Sequence, residues 1–285
     1  ISVLELVWGL LLRSGNDAAV ALAEHLAGSV EAFVSLKNEK AAQIGALNSH
    51  FANPYGLTAP GHFSTAYDLA ILTRYALNNP LFAEIVRTKE IIIEWLDRSG
   101  QEKERTLRNT NKLLWMFDDA DGVKTGTTDA AGPCLVASAT RGHQKLIAVV
   151  LNDRARWYDS MQLLKYGFDA FDLFHFAAQE DVVAVIPVEG GMQPVVDAIV
   201  AVTAAVVVNY PDFRHVTVSL HLPEKIKAPI YRGQKLGEVE IFIKGKSVKT
   251  VDVIAAQDVE ERTFKRVLLG QLFTVFRLLS RWGMV

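Results

Sequence analysis

Residues 10–26, LLLRSGNDAAVALAEHL, place a Ser, a Gly and an Asn between two apolar patterns of helical spacing. Ser14 stands directly before the second pattern, in which Leu22 and Leu26 are four residues apart. With Asp17 three residues after Ser14, the stretch is typical of a capping box that has Asp in place of Glu. The stretch therefore predicts two helices with Ser14 between them, either as a helix cap or as part of a catalytic site.

The rest of the first domain, residues 1–176, predicts helices against an antiparallel sheet. Helical patterns continue over about 29–45 and 65–79, where Thr65 is the expected N-cap and Asp68 the third helical residue. From residue 90 the pattern changes to short β-rich runs between turn signals, and a helix over about 158–174 follows them. The β-rich runs are IIIEW, GVKTGT, PCLVASA and KLIAVVLN. This is an α+β arrangement.

Residues 181–262 predict a small all-β sandwich, with the domain boundary near 176–180. Apolar strand patterns recur along this segment, and Gly and Pro mark the turns between them. The patterns are VVAVIPV, AAVVVNY, VTVSLHL, GEVEIFI and SVKTVDVIA.

Residues 263–285 predict an amphipathic helix with a charge of +4, since they hold four basic residues and no acid. At 100° per residue its apolar arc contains Phe264, Leu268, Leu272, Val275, Phe276, Leu279 and Trp282. Only ten residues, 267–276, run without charge, and a spanning helix needs about 20. The composition favours a helix lying in a membrane interface. The alternative is an ordinary helix docked on its own domain.

The overall composition excludes several classes of function. A formal net charge of −2 gives no reason to expect nucleic acid as a partner. The scattered His residues show no metal-ligand spacing and no Gly-rich phosphate loop is present, so we expect neither a metal nor another cofactor. Cys134 is the only cysteine, and its apolar surroundings predict a small buried core residue.

The second chemical motif is Lys124-Thr125-Gly126-Thr127, on a predicted strand. A Lys suits a buried strand poorly, and flanking glycines allow another backbone to approach closely. The run is therefore typical of a strand beside which an extended substrate docks: Lys124 supplies charge, Thr125 a hydroxyl, and Gly126 room. By itself the tripeptide also fits a solvated edge strand.

Ser-x-Asn at 14–16 followed about 110 residues later by Lys-Thr-Gly is far more specific, because both runs belong to the signature of penicillin-binding proteins and class A β-lactamases. The sequence resembles the low-molecular-mass penicillin-binding proteins, the serine-type D-alanyl-D-alanine carboxypeptidases. The resemblance is carried by SGNDAAVALAEHLAGS, FVSLKNEKA, SHFANPYGL, GHFSTAYDLA, NTNKLLW and DGVKTGTTDAAGPCLVASA, over about residues 4–170.

This resemblance implies an acyl-enzyme mechanism on peptidoglycan stem peptides, with β-lactam antibiotics as covalent inhibitors. It implies that Ser14 relays protons and that Asn16 donates its amide to the substrate and to an active-site Lys. Lys124 and Thr125 would bind the terminal carboxylate, beside Gly126 and Thr127. Some members carry His where Thr127 stands. The implied location is the outer face of the bacterial cytoplasmic membrane, with peripheral attachment.

One motif of that family is absent. The nucleophile motif Ser-x-x-Lys is expected several tens of residues before Ser14, yet no Ser in these 285 residues has Lys three positions later. Two interpretations stay open: a piece of a longer carboxypeptidase, or a natural inactive relative that binds the cell wall. A serine β-lactamase is a third and weaker alternative, because residues 48–64 contain no Glu that could promote deacylation.

We predict that the 285-residue chain forms no covalent adduct with a fluorescent penicillin, since the acylated Ser and its Lys base are absent. In-gel fluorescence and intact mass measure the adduct, with a carboxypeptidase that retains Ser-x-x-Lys as the positive control. Stoichiometric labelling of any Ser in this chain would show that the nucleophile is misassigned.

Overall fold

The computed structural model describes residues 1–97 and 99–264. The chain divides into two compact units, residues 1–169 and residues from 170 onward. Each unit has its own hydrophobic core.

The first unit begins with five helices, as the apolar spacing of residues 1–90 predicts. They are α1 (Val3–Arg13), α2 (Asn16–Ala27), α3 (Val30–Ile44), α4 (Ala66–Ala76) and α5 (Pro80–Arg87). The predicted cap at Thr65 is confirmed, because its hydroxyl accepts a hydrogen bond from the Asp68 N–H at 3.1 Å. Helix α5 starts at Pro80, where the fixed φ of proline suits a first helical turn.

Strands and two further helices complete this unit. A hairpin of β1 (Glu90–Leu96) and β2 (Glu102–Arg108) stands apart from a three-stranded sheet. The sheet contains β3 (Ala120–Thr128), β4 (Gly132–Arg141) and β5 (Gln144–Val150), antiparallel in the order β3-β4-β5. Helices α6 (Leu113–Met116) and α7 (Arg156–Ala170) precede and follow this sheet. The strands predicted from IIIEW, GVKTGT, PCLVASA and KLIAVVLN are all present.

Two small cores hold the first unit together. On one side, Trp8 and Leu12 of α1 pack with Ile85, Ile93 and Leu107, which joins the hairpin to the helices. On the other side, β4 and α7 bury a second cluster that includes Leu113, Leu135, Ala137, Leu164 and Phe168. Because β4 is the central strand, its side chains are buried on both faces.

The second unit is all-β. Its strands are β6 (Phe171–Ala177), β7 (Val182–Glu189), β8 (Val195–Val200), β9 (Ala204–Asn209), β10 (Val216–His221), β11 (Ile226–Lys227), β12 (Lys235–Ile243) and β13 (Lys246–Ala255). They form a six-stranded sheet in the order β10-β12-β13-β8-β7-β11 and a two-stranded sheet of β6 and β9. Buried residues from both sheets share one core, as a sandwich requires. Each of the five predicted strands is present, whereas β8 and β11 lacked a recognised pattern.

The predicted helix over 158–174 is wrong at its end. Helix α7 stops at Ala170, and residues 171–177 form β6, which pairs with β9. Phe174 and Phe176, which are two residues apart in FDLFHFA, pack against the β-domain core. The division between the units therefore falls at 169/170 instead of 176–180.

Most of the predicted amphipathic tail lies outside the described residues. Phe264 is the last of them and is exposed. The positions outside are Leu268, Leu272, Val275, Phe276, Leu279 and Trp282. Within the described ranges, no helix by itself is both long and apolar enough to cross a bilayer; α2 and α3 meet those limits only as a pair bent by 84°.

Candidate active site

Ser14 lies in a sharp turn between α1 and α2. Its backbone is left-handed, with φ 58° and ψ 44°, an uncommon conformation for a residue with a Cβ atom. Gly15, not Ser14, is the N-cap of α2, and no side chain caps that helix. The predicted capping box is therefore wrong: the left-handed turn directs the Ser14 side chain away from the first turn of α2. The hydroxyl is instead available to the sheet.

Lys124 of β3 reaches this hydroxyl. Its ammonium Nζ donates a short hydrogen bond to Ser14 Oγ and a second one to the Thr125 carbonyl oxygen at 2.9 Å. Burial lowers the pKa of Lys124 to about 8, and no carboxylate among the described residues pairs with it. The structure thus joins two residues 110 positions apart that the sequence analysis assigned to one site.

The position of Lys124 is fixed by the start of β3. The Asp121 carboxylate accepts hydrogen bonds from Ser138 Oγ and Thr140 Oγ1, each at 2.6 Å, and from Lys145 Nζ. Burial by itself would raise the pKa of Asp121, but the hydrogen bonds from these three side chains hold it below its ordinary value. Because these partners lie on β4 and β5, Asp121 ties all three strands together.

Gly122 allows this strand to pack closely. A Cβ atom at Gly122 would lie 2.9 Å from Ser138 Oγ, which is too near, and 3.1 Å from Val86 Cγ2 of α5, which is a tight contact. Gly126 has the opposite surroundings, since a Cβ atom there would meet nothing within 4 Å. The predicted room beside Gly126 is therefore present.

Strand β3 is the edge of its sheet. On its far side it pairs with no strand of the described residues, so its outer groups remain open to an extended ligand. Thr125 Oγ1 lies 2.9 Å from Thr110 Oγ1, and the Thr127 hydroxyl donates to the Gly126 carbonyl oxygen at 2.8 Å. Thr125 is half-buried, whereas Gly126 and Thr127 are exposed.

Arg156, at the start of α7, is a site residue that the sequence analysis missed. Its Nη1 donates to Thr127 Oγ1 at 2.9 Å and to the carbonyl oxygens of Gly126 and Cys134 at 3.0 and 3.1 Å. Its guanidinium lies over the Trp157 ring at 4.7 Å from the centroid. No spacing in the sequence links Arg156 to the motif around Lys124, because the contact depends on how α7 returns to the sheet.

The structure also shows the surroundings of three other residues near the motifs, Asn16, Asn111 and Cys134. Asn16 begins α2 and is exposed, but its side chain makes no hydrogen bond to Lys124 or to any other described residue. Asn111, in the loop before α6, is fully buried, and its Nδ2 has no partner among the described residues. Cys134 is half-buried, not a core residue, because it lies opposite Gly126 on the open end of the sheet.

The site is cationic and rich in donors. Lys124 and Arg156 lie on the two sides of the Thr125–Thr127 run, beside an open strand edge. Among the described residues, no group of three or more His, Cys, Asp or Glu side chains is arranged to hold a metal ion. The arrangement suits recognition of a peptide that ends in a carboxylate, together with proton transfer between Lys124 and Ser14.

Comparison with known proteins identifies the family that the sequence motifs indicate. Residues 1–155 match a family model described as D-alanyl-D-alanine carboxypeptidase, peptidase S11. Residues 171–261 match one described as penicillin-binding protein 5, C-terminal domain. The two matches fall in the two units of the structure.

Individual relatives are similar along nearly all of the chain. D-alanyl-D-alanine carboxypeptidase DacF of Bacillus subtilis is 32% identical, over 93% of this chain and 68% of the relative. DacC of Escherichia coli is 35% identical, over 93% of this chain and 65% of the relative. The crystal structure of penicillin-binding protein 5 from Haemophilus influenzae matches with a TM-score of 0.75 and 31% identity, over 92% of this chain and 75% of that one. This chain spans about two thirds of the length of the curated relatives it matches.

We predict that two Lys side chains, Lys124 and Lys37, titrate near pH 8, because burial lowers the pKa of both to about 8. NMR of ¹³C-labelled Lys side chains measures this, and Lys124→Gln should remove one of the two signals. Folding disfavours the Lys124 cation, so the folded chain binds fewer protons than the unfolded chain between about pH 8 and its ordinary pKa of about 10.4.

The stability of the wild-type chain relative to Lys124→Gln should consequently rise with pH across that window. Lys37 is present in both chains and cancels from the difference. A difference in unfolding free energy that does not change with pH, or a Lys124 signal that stays charged up to about pH 10, would contradict the prediction.

Proposed function

The chain belongs to the peptidase S11 family of D-alanyl-D-alanine carboxypeptidases, and from this premise we propose its reaction. The proposed reaction is hydrolysis of the terminal D-Ala-D-Ala bond of peptidoglycan stem peptides through a serine acyl-enzyme. These 285 residues contain no Ser-x-x-Lys, so the acylated Ser is proposed to come from a segment outside them. The observation that carries the proposal is the contact of Lys124 with Ser14 beside the open edge of β3.

Recognition of the substrate carboxylate is assigned to Lys124, Thr125, Thr127 and Arg156. The Nη1 group of Arg156 is committed to Thr127 and to two carbonyl oxygens, but its Nε and Nη2 groups donate to no described residue. A guanidinium presents its donors in a planar fork, which matches the two oxygens of a carboxylate. The peptide backbone would then lie along β3, where Gly126 leaves space.

Proton transfer is assigned to Lys124 and Ser14. With a pKa of about 8, roughly one tenth of Lys124 is neutral at pH 7. As the Ser14 hydroxyl gives its proton to the leaving D-Ala amine, the Lys124 ammonium, which donates to Ser14 Oγ, replaces that proton and becomes neutral; a proton from solvent then restores the cation. Asn16, exposed at the start of α2, is proposed to donate its amide to the substrate carbonyl.

One alternative function is favoured by a specific observation. The absence of Ser-x-x-Lys also suits an inactive relative that binds stem peptides without cleaving them. In both functions the same residues would recognise the peptide carboxylate, so a peptide-binding experiment tests this shared step. An active carboxypeptidase also hydrolyses the bound peptide, whereas an inactive relative only binds it, so measuring hydrolysis beside binding distinguishes the two functions.

We predict that acetylated L-Lys-D-Ala-D-Ala binds to this chain and that its C-terminal amide binds far more weakly. Lys124→Ala and Arg156→Gln should each weaken binding of the free acid by about 10- to 150-fold, the effect of losing a charge-assisted contact of roughly 1.5–3 kcal/mol. NMR titration of the Gly126 and Thr127 amide signals measures the affinity.

Arg154→Gln is the matched control, because Arg154 is an exposed cation two residues away with no hydrogen-bonded partner among the described residues. It should leave the affinity unchanged. Equal affinity for the acid and the amide, or no loss in Arg156→Gln, would refute the carboxylate site.

We further propose that the protein acts at the outer face of the bacterial cytoplasmic membrane, held peripherally by residues 263–285. The support is the sequence alone: a net charge of +4 and an apolar arc with aromatic residues. Each basic residue near an anionic surface contributes on the order of 1 kcal/mol, and salt screens it.

Deleting residues 263–285 should therefore release the protein from anionic vesicles while its thermal midpoint stays nearly unchanged. Leu272→Asp with Phe276→Asp should do the same in co-sedimentation. The matched control is Thr274→Asp with Ser280→Asp, which adds the same charge to the polar arc and should retain more binding. A helix docked on its own domain predicts a lower midpoint and no change in co-sedimentation.

A further inference from the structure

A groove lies between the C-terminal halves of α3 and α4, with a volume of about 400 Å³. We call it the α3–α4 groove. It is lined by Lys40, Gln43, Ile44, Ile71, Arg74, Tyr75 and Asn78. None of the residues assigned above to peptide recognition or proton transfer is among them.

The groove carries two uncompensated positive charges. Lys40 and Arg74 are exposed, and neither side chain forms an ion pair or hydrogen bond with a described residue. No acidic side chain lines the groove. The chain as a whole has a net charge of −2. Two unpaired cations that face one cavity are therefore a local excess of positive charge.

The other lining residues add hydrogen bonding on one side and apolar surface on the other. The side-chain amides of Gln43 and Asn78 have no hydrogen-bonded partner among the described residues. Ile44 and Ile71 are half-buried, and Tyr75 is 52% exposed. Ligand sites typically combine such apolar walls with a few convergent polar groups.

The hydrogen-bond donors of the groove indicate the charge of the ligand. The Lys40 and Arg74 side chains together have about eight N–H groups that donate hydrogen bonds and no atom that accepts one. A group with several anionic oxygens satisfies such donors best, and charge-assisted hydrogen bonds are the stronger kind. The apolar wall of Ile44, Ile71 and Tyr75 suits a compact organic skeleton next to that group.

We propose that the α3–α4 groove binds a carboxylate or phosphate group carried on a small organic skeleton, at a site separate from the peptide site at Lys124. That this ligand is part of a cell-wall polymer rests on the proposed function; the anion site itself does not. Binding here would hold a polymeric substrate at a second point while its peptide end occupies β3.

The test is an NMR titration of the full chain with N-acetylmuramic acid, as a carboxylate on a sugar, and with glycerol 3-phosphate. We expect saturable shifts of the Lys40, Gln43, Arg74 and Asn78 amide signals for at least one probe. Lys40→Gln with Arg74→Gln should weaken that binding by tenfold or more. Tighter binding of one probe identifies which anion the groove prefers.

The matched control is Arg105→Gln with Lys246→Gln, which removes the same two charges from exposed positions outside the groove. It should leave the titration unchanged. An equal loss in the control, or no saturable shift with either probe, would overturn the proposal. The groove variant should still bind acetylated L-Lys-D-Ala-D-Ala, so failure of that peptide to bind the wild-type chain would refute the proposed function and not the groove.

Discussion

The contact between the Lys124 ammonium and the Ser14 hydroxyl is the interaction on which the candidate active site depends. It joins the turn between two helices to the edge of a sheet, across 110 residues of sequence. A half-buried ammonium without a carboxylate partner costs folding free energy, because burial disfavours its charge. The lowered pKa of Lys124 is the property that a proton-transferring Lys requires, and proton transfer is the role proposed for it.

Both ends of this contact depend on backbone constraints. Ser14 must adopt a left-handed conformation, which a non-glycine residue seldom does, so that its hydroxyl faces β3 and not the first turn of α2. On the sheet, Asp121 anchors β3 to the neighbouring strands, and Gly122 allows the strand to pack against Ser138 and Val86. The left-handed conformation of Ser14 and the close packing of β3 at Gly122 together hold the Ser14 hydroxyl and the Lys124 ammonium at hydrogen-bonding distance.

The unpaired edge of β3 is where we propose that the peptide binds. The central strand β4 buries its residues on both faces, whereas β3 has an unpaired side along the Thr125–Thr127 run. At one end of this run, Arg156 of α7 donates hydrogen bonds to the Gly126 carbonyl oxygen and to the Thr127 hydroxyl. The proposed recognition of a terminal carboxylate thus draws on two separate parts of the chain, β3 and the start of α7, which are brought together by the contact of Arg156 with Thr127.

The sequence by itself determined the class and order of most elements, the Thr65 cap, the five predicted strands of the second unit and the family, because periodicity and motif order are local or collinear signals. It misjudged Ser14 as the N-cap of α2, whereas Ser14 is the C-cap of α1. It also continued α7 into β6 and placed Cys134 in the core. It had no means to identify Arg156. Those features depend on contacts between distant segments: a left-handed turn selected by a hydroxyl–ammonium contact, a strand stabilised by pairing with β9, and a guanidinium positioned by helix packing. Tertiary structure decided them, because hydrogen bonds and burial across the fold outweigh local preference.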